Sequence, residues 1–125
     1  MKGFFILFTA LLFVSCSEDD NATQEKDFLA LTQSFESIQA MSNSVNCVDA
    51  TQWTFTPYGT QACGGPQGFI AYPTTIDTIA FLNRIEGHRL REDFLNRKHG
   101  VISPCNLLAQ PQNVVCINGI ATLVY

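Results

Sequence analysis

Apolar positions recur along this chain with two different periods, and each change of period marks a change of element. Phe28, Leu31, Phe35, Ile38 and Met41 follow one another at steps of three and four, the repeat that lines up side chains on one stripe of a helix. Thr32, Gln33, Glu36 and Gln39 fall largely outside it, and Ser42-Asn43-Ser44 supplies turn chemistry. The pattern predicts a helix from Lys26 to about Ser42, its stripe covering the domain's own core. The period then drops to two. Gln52-Trp53-Thr54-Phe55-Thr56 alternates and predicts a strand ended by Pro57, and Phe69-Ile70-Ala71-Tyr72 predicts a second strand closed by Pro73.

Helical spacing returns at Ile76, Ile79, Leu82 and Ile85, which share one face, with Thr74 or Thr75 as the cap and Asp77 near the positive end of the helix. Gly87 costs a helix about 1 kcal/mol relative to Ala and predicts a kink or break there. Leu90, Phe94 and Leu95 carry the pattern on to Lys98, and Gly100 stops it. Last come two apolar runs, 114–117 and 120–124, flanking Asn118-Gly119, the dipeptide that accommodates both positive φ angles of a type I′ turn. Pairing across that turn sets Ile117 opposite Ile120 and Cys116 opposite Ala121, so Val114, Cys116, Ala121, Leu123 and Tyr125 share the expected core side. No internal repeat is visible. The order of elements predicts an α+β fold: an N-terminal helix, a small antiparallel sheet of about four strands and a kinked helical crossover.

The first fifteen residues obey neither period. A basic start at Lys2 leads into an apolar run from Phe4 to Val14, broken only by Thr9, and then Ser15 and Cys16. This is the pattern of an export signal. As a helix the run would span about 16 Å, roughly half the hydrocarbon core of a bilayer, too short for a transmembrane anchor. Leu12-Phe13-Val14-Ser15-Cys16 resembles the lipobox of bacterial lipoproteins, with Phe13 where Leu is usual. The resemblance implies cleavage before Cys16 and lipid on its sulfur. Ser17-Glu18-Asp19-Asp20 follows directly and resembles the surface-export signal of Bacteroidetes lipoproteins. The expected organisation is a signal peptide over 1–15, a flexible tether over 16–25, too poor in apolar groups to pack, and a single domain over 26–125. The expected location is the bacterial cell envelope, on the outer membrane and exposed at its surface.

Five cysteines are an odd count for an exported chain, and lipid on Cys16 leaves an even set, Cys47, Cys63, Cys105 and Cys116, as two disulfides require. Four cysteines permit three pairings, which sequence alone leaves open. Chain geometry favours one of them: Cys63 stands just before the second strand and Cys105 just after a helical crossover that must double back over the sheet. That leaves Cys47 to pair with Cys116 in the hairpin. A zinc site with His88 or His99 would need paired ligand spacing that these cysteines lack.

Charge and motifs exclude several classes. The chain carries 11 acidic and 7 basic side chains, with no strongly basic face for nucleic acid. Asn21-Ala22-Thr23 fits a glycosylation sequon by chance. His88 and His99 lie among Arg89, Arg91, Arg97 and Lys98; this reads as a solvated helix face. One alternative has the cluster contacting acidic glycans or lipid headgroups, and another is a small enzyme using either histidine. No cofactor is called for. The most distinctive stretch is Cys63-Gly64-Gly65-Pro66-Gln67-Gly68, in which Gly64, Gly65 and Gly68 can reach positive φ while Pro66 pushes Gly65 towards an extended backbone. It lacks the glycine spacing of a phosphate loop and precedes a strand. It reads as a tight turn pinned by a disulfide, or as a preformed recognition loop formed by Gly64, Gly65, Pro66, Gln67 and Gly68, which would lose little entropy on binding.

Together, Trp53-x-Phe55, Cys63-Gly64-Gly65-Pro66-x-Gly68-Phe69-Ile70-x-Tyr72, Asn96-x-Lys98, Ser103-x-Cys105 and Pro111-x-x-Val114-x-Cys116-x-x-Gly119 resemble a group of small exported Bacteroidetes lipoproteins of unknown function. The resemblance covers roughly residues 47–125. It implies compartment and disulfides, and supplies no catalytic residue. The expected function is a lipid-anchored, non-catalytic binding or structural module, in contact with the membrane through Cys16 and with an envelope protein. The alternative is an inhibitor of a secreted hydrolase, a protease or lysozyme, acting through the Gly64–Gly68 loop.

Overall fold

The computed structural model describes residues 17–125; residues 1–15, expected as a signal peptide, and Cys16 lie outside them. Helix α1 spans Ser17–Ser42 and so begins well before Lys26. Residues 17–25, expected as a flexible tether, are helical instead. Asp19 and Asp20 sit at the positive end of the helix dipole, and Ala22, Gln24 and Glu25 are good helix formers. From there the apolar stripe behaves as its spacing predicts: Leu31 and Ile38 are buried, and Phe28, Phe35 and Met41 half-buried.

A 3-10 turn at Ala50–Gln52, capped by the Asp49 side chain, leads into β1 (Trp53–Tyr58), which pairs antiparallel with β2 (Gly68–Pro73). Strand β1 runs through Pro57 where the sequence predicts an end. The register explains this. Thr74 N–H bonds Gln52 O at 2.7 Å, and bonded pairs alternate along an antiparallel ladder. The backbone groups of Trp53, Phe55 and Pro57 therefore face away from β2, where the donor missing from proline is not needed.

Helix α2 spans Thr78–Lys98. Its cap is Asp77, whose carboxylate accepts from Ala80 N–H at 2.9 Å, in place of Thr74 or Thr75. Ile76 thus lies outside the helix and packs against the core as a staple beside its first turn. This rotates the buried face away from the predicted one. Phe81, Ile85, His88, Leu95 and Asn96 are buried, whereas Ile79 is 75% exposed and Leu82, Leu90 and Phe94 also face solvent. The helix passes through Gly87 without interruption, because packing on either side outweighs a propensity cost of about 1 kcal/mol. The core is Ile38, Tyr72, Phe81 and Ile85, flanked by Phe35, Met41, Tyr58, Ile70 and Ile76. Phe81 is fully buried and stacks on Tyr72 with ring centroids 4.7 Å apart. At the far end of α2, Lys98 Nζ and His99 Nε2 meet Asp27 of α1 at 2.7 and 2.9 Å. Both interactions hold the Asp27 carboxyl below its ordinary range, the hydrogen bond from Lys98 more than that from His99.

The hairpin of β3 (Asn113–Ile117) and β4 (Ile120–Val124) has the predicted register, Ile117 opposite Ile120 and Cys116 opposite Ala121, with φ of 51° at Asn118 and 79° at Gly119. Val114 is buried and Cys116, Ala121 and Leu123 half-buried, but Tyr125 is 63% exposed. The four strands thus form two separate antiparallel ribbons. Disulfides join Cys47 to Cys116 and Cys63 to Cys105, with Cα separations of 5.2 and 5.8 Å, inside the range a disulfide spans. Among the described residues the fold is α+β, with two helices, four strands and two disulfides.

Replacing Cys47 and Cys116 together by Ala is expected to lower the unfolding free energy by about 2–5 kcal/mol, read from urea titration. An unchanged midpoint would show that the hairpin needs no covalent tie.

Candidate functional site

The chain between β1 and β2 closes on itself and is then tied to two other parts of the molecule. Gln61 N–H bonds Gly65 O at 2.8 Å and Gly64 N–H bonds Gln61 O at 2.9 Å. Gly64 and Gly65 adopt φ of 101° and 83°, a region open to glycine and disfavoured for residues with a Cβ. Gly65 is therefore not in the ordinary extended region expected before Pro66. Gly68 has no positive φ and serves a different purpose: a Cβ there would meet the Tyr58 ring at 2.9 Å.

The first tie is Gln61, whose side chain is buried. Its amide nitrogen donates to Pro66 O at 2.9 Å and to Asn106 O at 3.0 Å, and its oxygen accepts from Asn106 N–H at 3.2 Å. Ser103 Oγ accepts from Ala62 N–H at 2.9 Å. With the Cys63–Cys105 bridge, these bonds clamp the loop to the irregular segment after α2. The second tie is α2 itself. Glu92 accepts from Thr60 N–H at 2.7 Å and from Gln67 Nε2 at 3.1 Å, and Asn96 Nδ2 donates to Thr60 O at 3.2 Å. Between the ties Ala62, Cys63, Gly64 and Gly65 remain exposed. Of the predicted recognition loop, Gly64, Gly65, Pro66 and Gln67 belong to this structure, whereas Gly68 is the first residue of β2; the exposed apex is 62–65.

His88 is buried, contrary to its expected place on a solvated face. Its ring lies 5.2 Å from that of Phe35, which stacks on Tyr58 at 4.4 Å. Its Nδ1 is buried with no hydrogen-bond partner. Burial lowers the imidazole's proton affinity, and the nearby Glu92 carboxylate opposes this only in part. His88 and Glu92 line a surface cleft of about 230 Å³ with Leu31, Thr32, Phe35, Tyr58 and Gln67. Burial, and then the charge of Glu92, raise the Tyr58 phenol and keep it neutral. His99 lies elsewhere, against Asp27 and Phe28, so the two histidines do not converge. The basic cluster is largely neutralised: Arg89 pairs with Glu86 at 2.7 Å, Arg97 with Asp93, and Lys98 with Asp27.

Sequence reasoning missed Gln61, Glu92, Asn96, Ser103 and Asn106 as loop ties. A signal for part of the set was present, since His88, Glu92 and Asn96 recur every four residues along one side of α2. Among the described residues no group of three or more candidate ligands could hold a metal ion, and no helix is long and apolar enough to cross a membrane. Comparison of the chain with protein-family models, curated proteins and solved structures gives no match.

Gln61→Ala removes three hydrogen bonds from the clamp and leaves polar backbone groups short of partners, a loss of about 1–3 kcal/mol. Amide exchange at Gly64 is expected to accelerate by about tenfold or more, read by NMR. Unchanged exchange would mean that the disulfide alone orders the loop.

Proposed function

We propose that this protein is a lipid-anchored, non-catalytic binding module of the bacterial cell envelope, of the Bacteroidetes lipoprotein kind. In this reading it is held to the outer membrane through Cys16 and presents the 62–65 apex to a protein partner at the cell surface. The observation that carries the reading is an exposed apex fixed on both flanks, by the Gln61 clamp and by the Glu92–Asn96 ties. A loop ordered before binding loses little conformational entropy when a partner engages it. The separation of His88 from His99 favours binding over acid–base chemistry. The paired state of Arg89, Arg97 and Lys98 weakens a role for that cluster on glycans or headgroups.

The same preformed apex favours a second reading, inhibition of a secreted protease or lysozyme. An inhibitor gains affinity when the shape it offers is already fixed.

Anchoring is tested by metabolic labelling with a fatty-acid analogue. The wild-type chain is expected to take up label and fractionate with membranes, and Cys16→Ser to do neither; a labelled Cys16→Ser protein would overturn the anchor. The loop reading is tested by capture from detergent-solubilised envelope with the lipidated chain. Ala62→Arg, at the exposed apex, is expected to lower recovery of captured proteins by about tenfold or more. Equal recovery would remove the apex from the interface, and protease or lysozyme inhibition abolished by Ala62→Arg would assign the second reading.

A further inference from the structure

The two ties that fix the loop differ in one respect: the Gln61 clamp contains no titratable group, whereas the α2 tie runs through Glu92, one helical turn beyond a buried imidazole. His88 is 7% exposed and its Nδ1 has no partner. An uncharged ring tolerates that position. A charged one does not, because a buried cation needs a counter-charge and an acceptor for each N–H.

The surroundings of His88 offer one such group. Its ring lies against Phe35 of α1, and the cleft it lines is completed from α1 by Leu31 and Thr32, from β1 by Tyr58, a neutral phenol, and from the loop by Gln67. On α2, Arg84 stands one turn before it and Arg91 three residues after, both exposed and of the wrong sign. Arg89 is occupied by Glu86. Glu92, lining the same cleft, is the remaining anion, and its two carboxylate oxygens already accept from Thr60 N–H and Gln67 Nε2.

We propose that His88 and Glu92 form an acid-sensitive latch on the loop: a proton taken from solvent by the imidazole draws the Glu92 carboxylate off Thr60 N–H and Gln67, and the 59–67 loop loses its tie to α2. The sign follows from linkage. Burial lowers the proton affinity of His88 in the folded chain, so the latched state has its full stability above the ordinary histidine range, near about pH 6.5. That stability is lost as the pH falls below it, where the open state binds the additional proton. The use of the latch rests on the loop-presenting reading above, in which acid would lower affinity for a partner by disordering what the partner grips. The latch itself is measured without any partner, so its failure and the failure of that reading are separate results.

The test is amide exchange by NMR on the full chain in detergent micelles, corrected for intrinsic rates. Between pH 7.5 and pH 5.0, protection at Thr60 N–H is expected to fall by about tenfold or more relative to Val115 N–H, which belongs to the hairpin ladder. His88→Gln should hold that ratio constant across the range, and so should Glu92→Gln, whose amide oxygen can accept from Thr60 but cannot neutralise an imidazolium. A constant ratio in the wild-type chain would overturn the proposal. A pH-dependent ratio surviving in either variant would do the same. Should a variant fail to fold, the wild-type chain still decides: the His88 ring resonances and the Thr60 amide shift must titrate with one midpoint, and different midpoints reject the latch.

Discussion

A two-stranded ribbon on its own is at best marginally stable in water, and the described residues of this chain form two of them. Each must be fastened to something else, and they are fastened by different means. The β1–β2 ribbon has a hydrophobic partner: Tyr72 on β2 stacks on Phe81 of α2, and Ile38 of α1 closes the same core. The β3–β4 ribbon contributes mainly Val114 to the buried interior and is tied covalently by the bond from Cys47 to Cys116, beside which Cys47 N–H bonds Gly119 O at 2.9 Å. A core of this size leaves a small domain marginal, which is where covalent ties carry the most weight.

The same division of labour continues into the loop. Residues 101–112 have no regular structure, yet Ser103 and Asn106 bond the loop and Cys105 is bridged to it. Long irregular segments in compact domains are either disordered or put to use. Here the segment serves as the outer wall of the clamp, with Gln61 as the polar filling between the two backbones. The inner wall is α2, which presents its apolar residues Phe81 and Ile85 to the core and its polar residues Glu92 and Asn96 to the loop.

Much of this was legible in the sequence where the deciding physics is local. The hairpin register followed from Asn118-Gly119 and the alternation on either side, and the α1 stripe from its spacing. The disulfide pairing followed from the even set of cysteines in the domain and the return of the crossover. The phase of α2 was not legible, because the helix has more apolar residues than buried positions. Ile79, Leu82, Leu90 and Phe94 all face solvent, and the choice among stripes turned on whether Ile76 lay inside the helix. The loop ties were hidden for another reason. A Glu or Asn on a helix normally faces water, and the groups that engage Glu92 and Asn96 belong to Thr60 and Gln67, at least 25 positions earlier in the chain.

Pro57 has a consequence beyond its own strand. An open ribbon exposes unpaired backbone groups on its outer edges, and such edges recruit further strands from other molecules. On β1 the outward positions are Trp53, Phe55 and Pro57, and the last has no donor to offer. On β2 they are Phe69, Ala71 and Pro73, and the Ala71 carbonyl is already taken by Ser42 Oγ at 2.5 Å. A neighbouring chain approaching either edge would find its hydrogen-bond ladder broken within a few residues. The two prolines and one serine thus make the ribbon's open edges poor templates for a further strand.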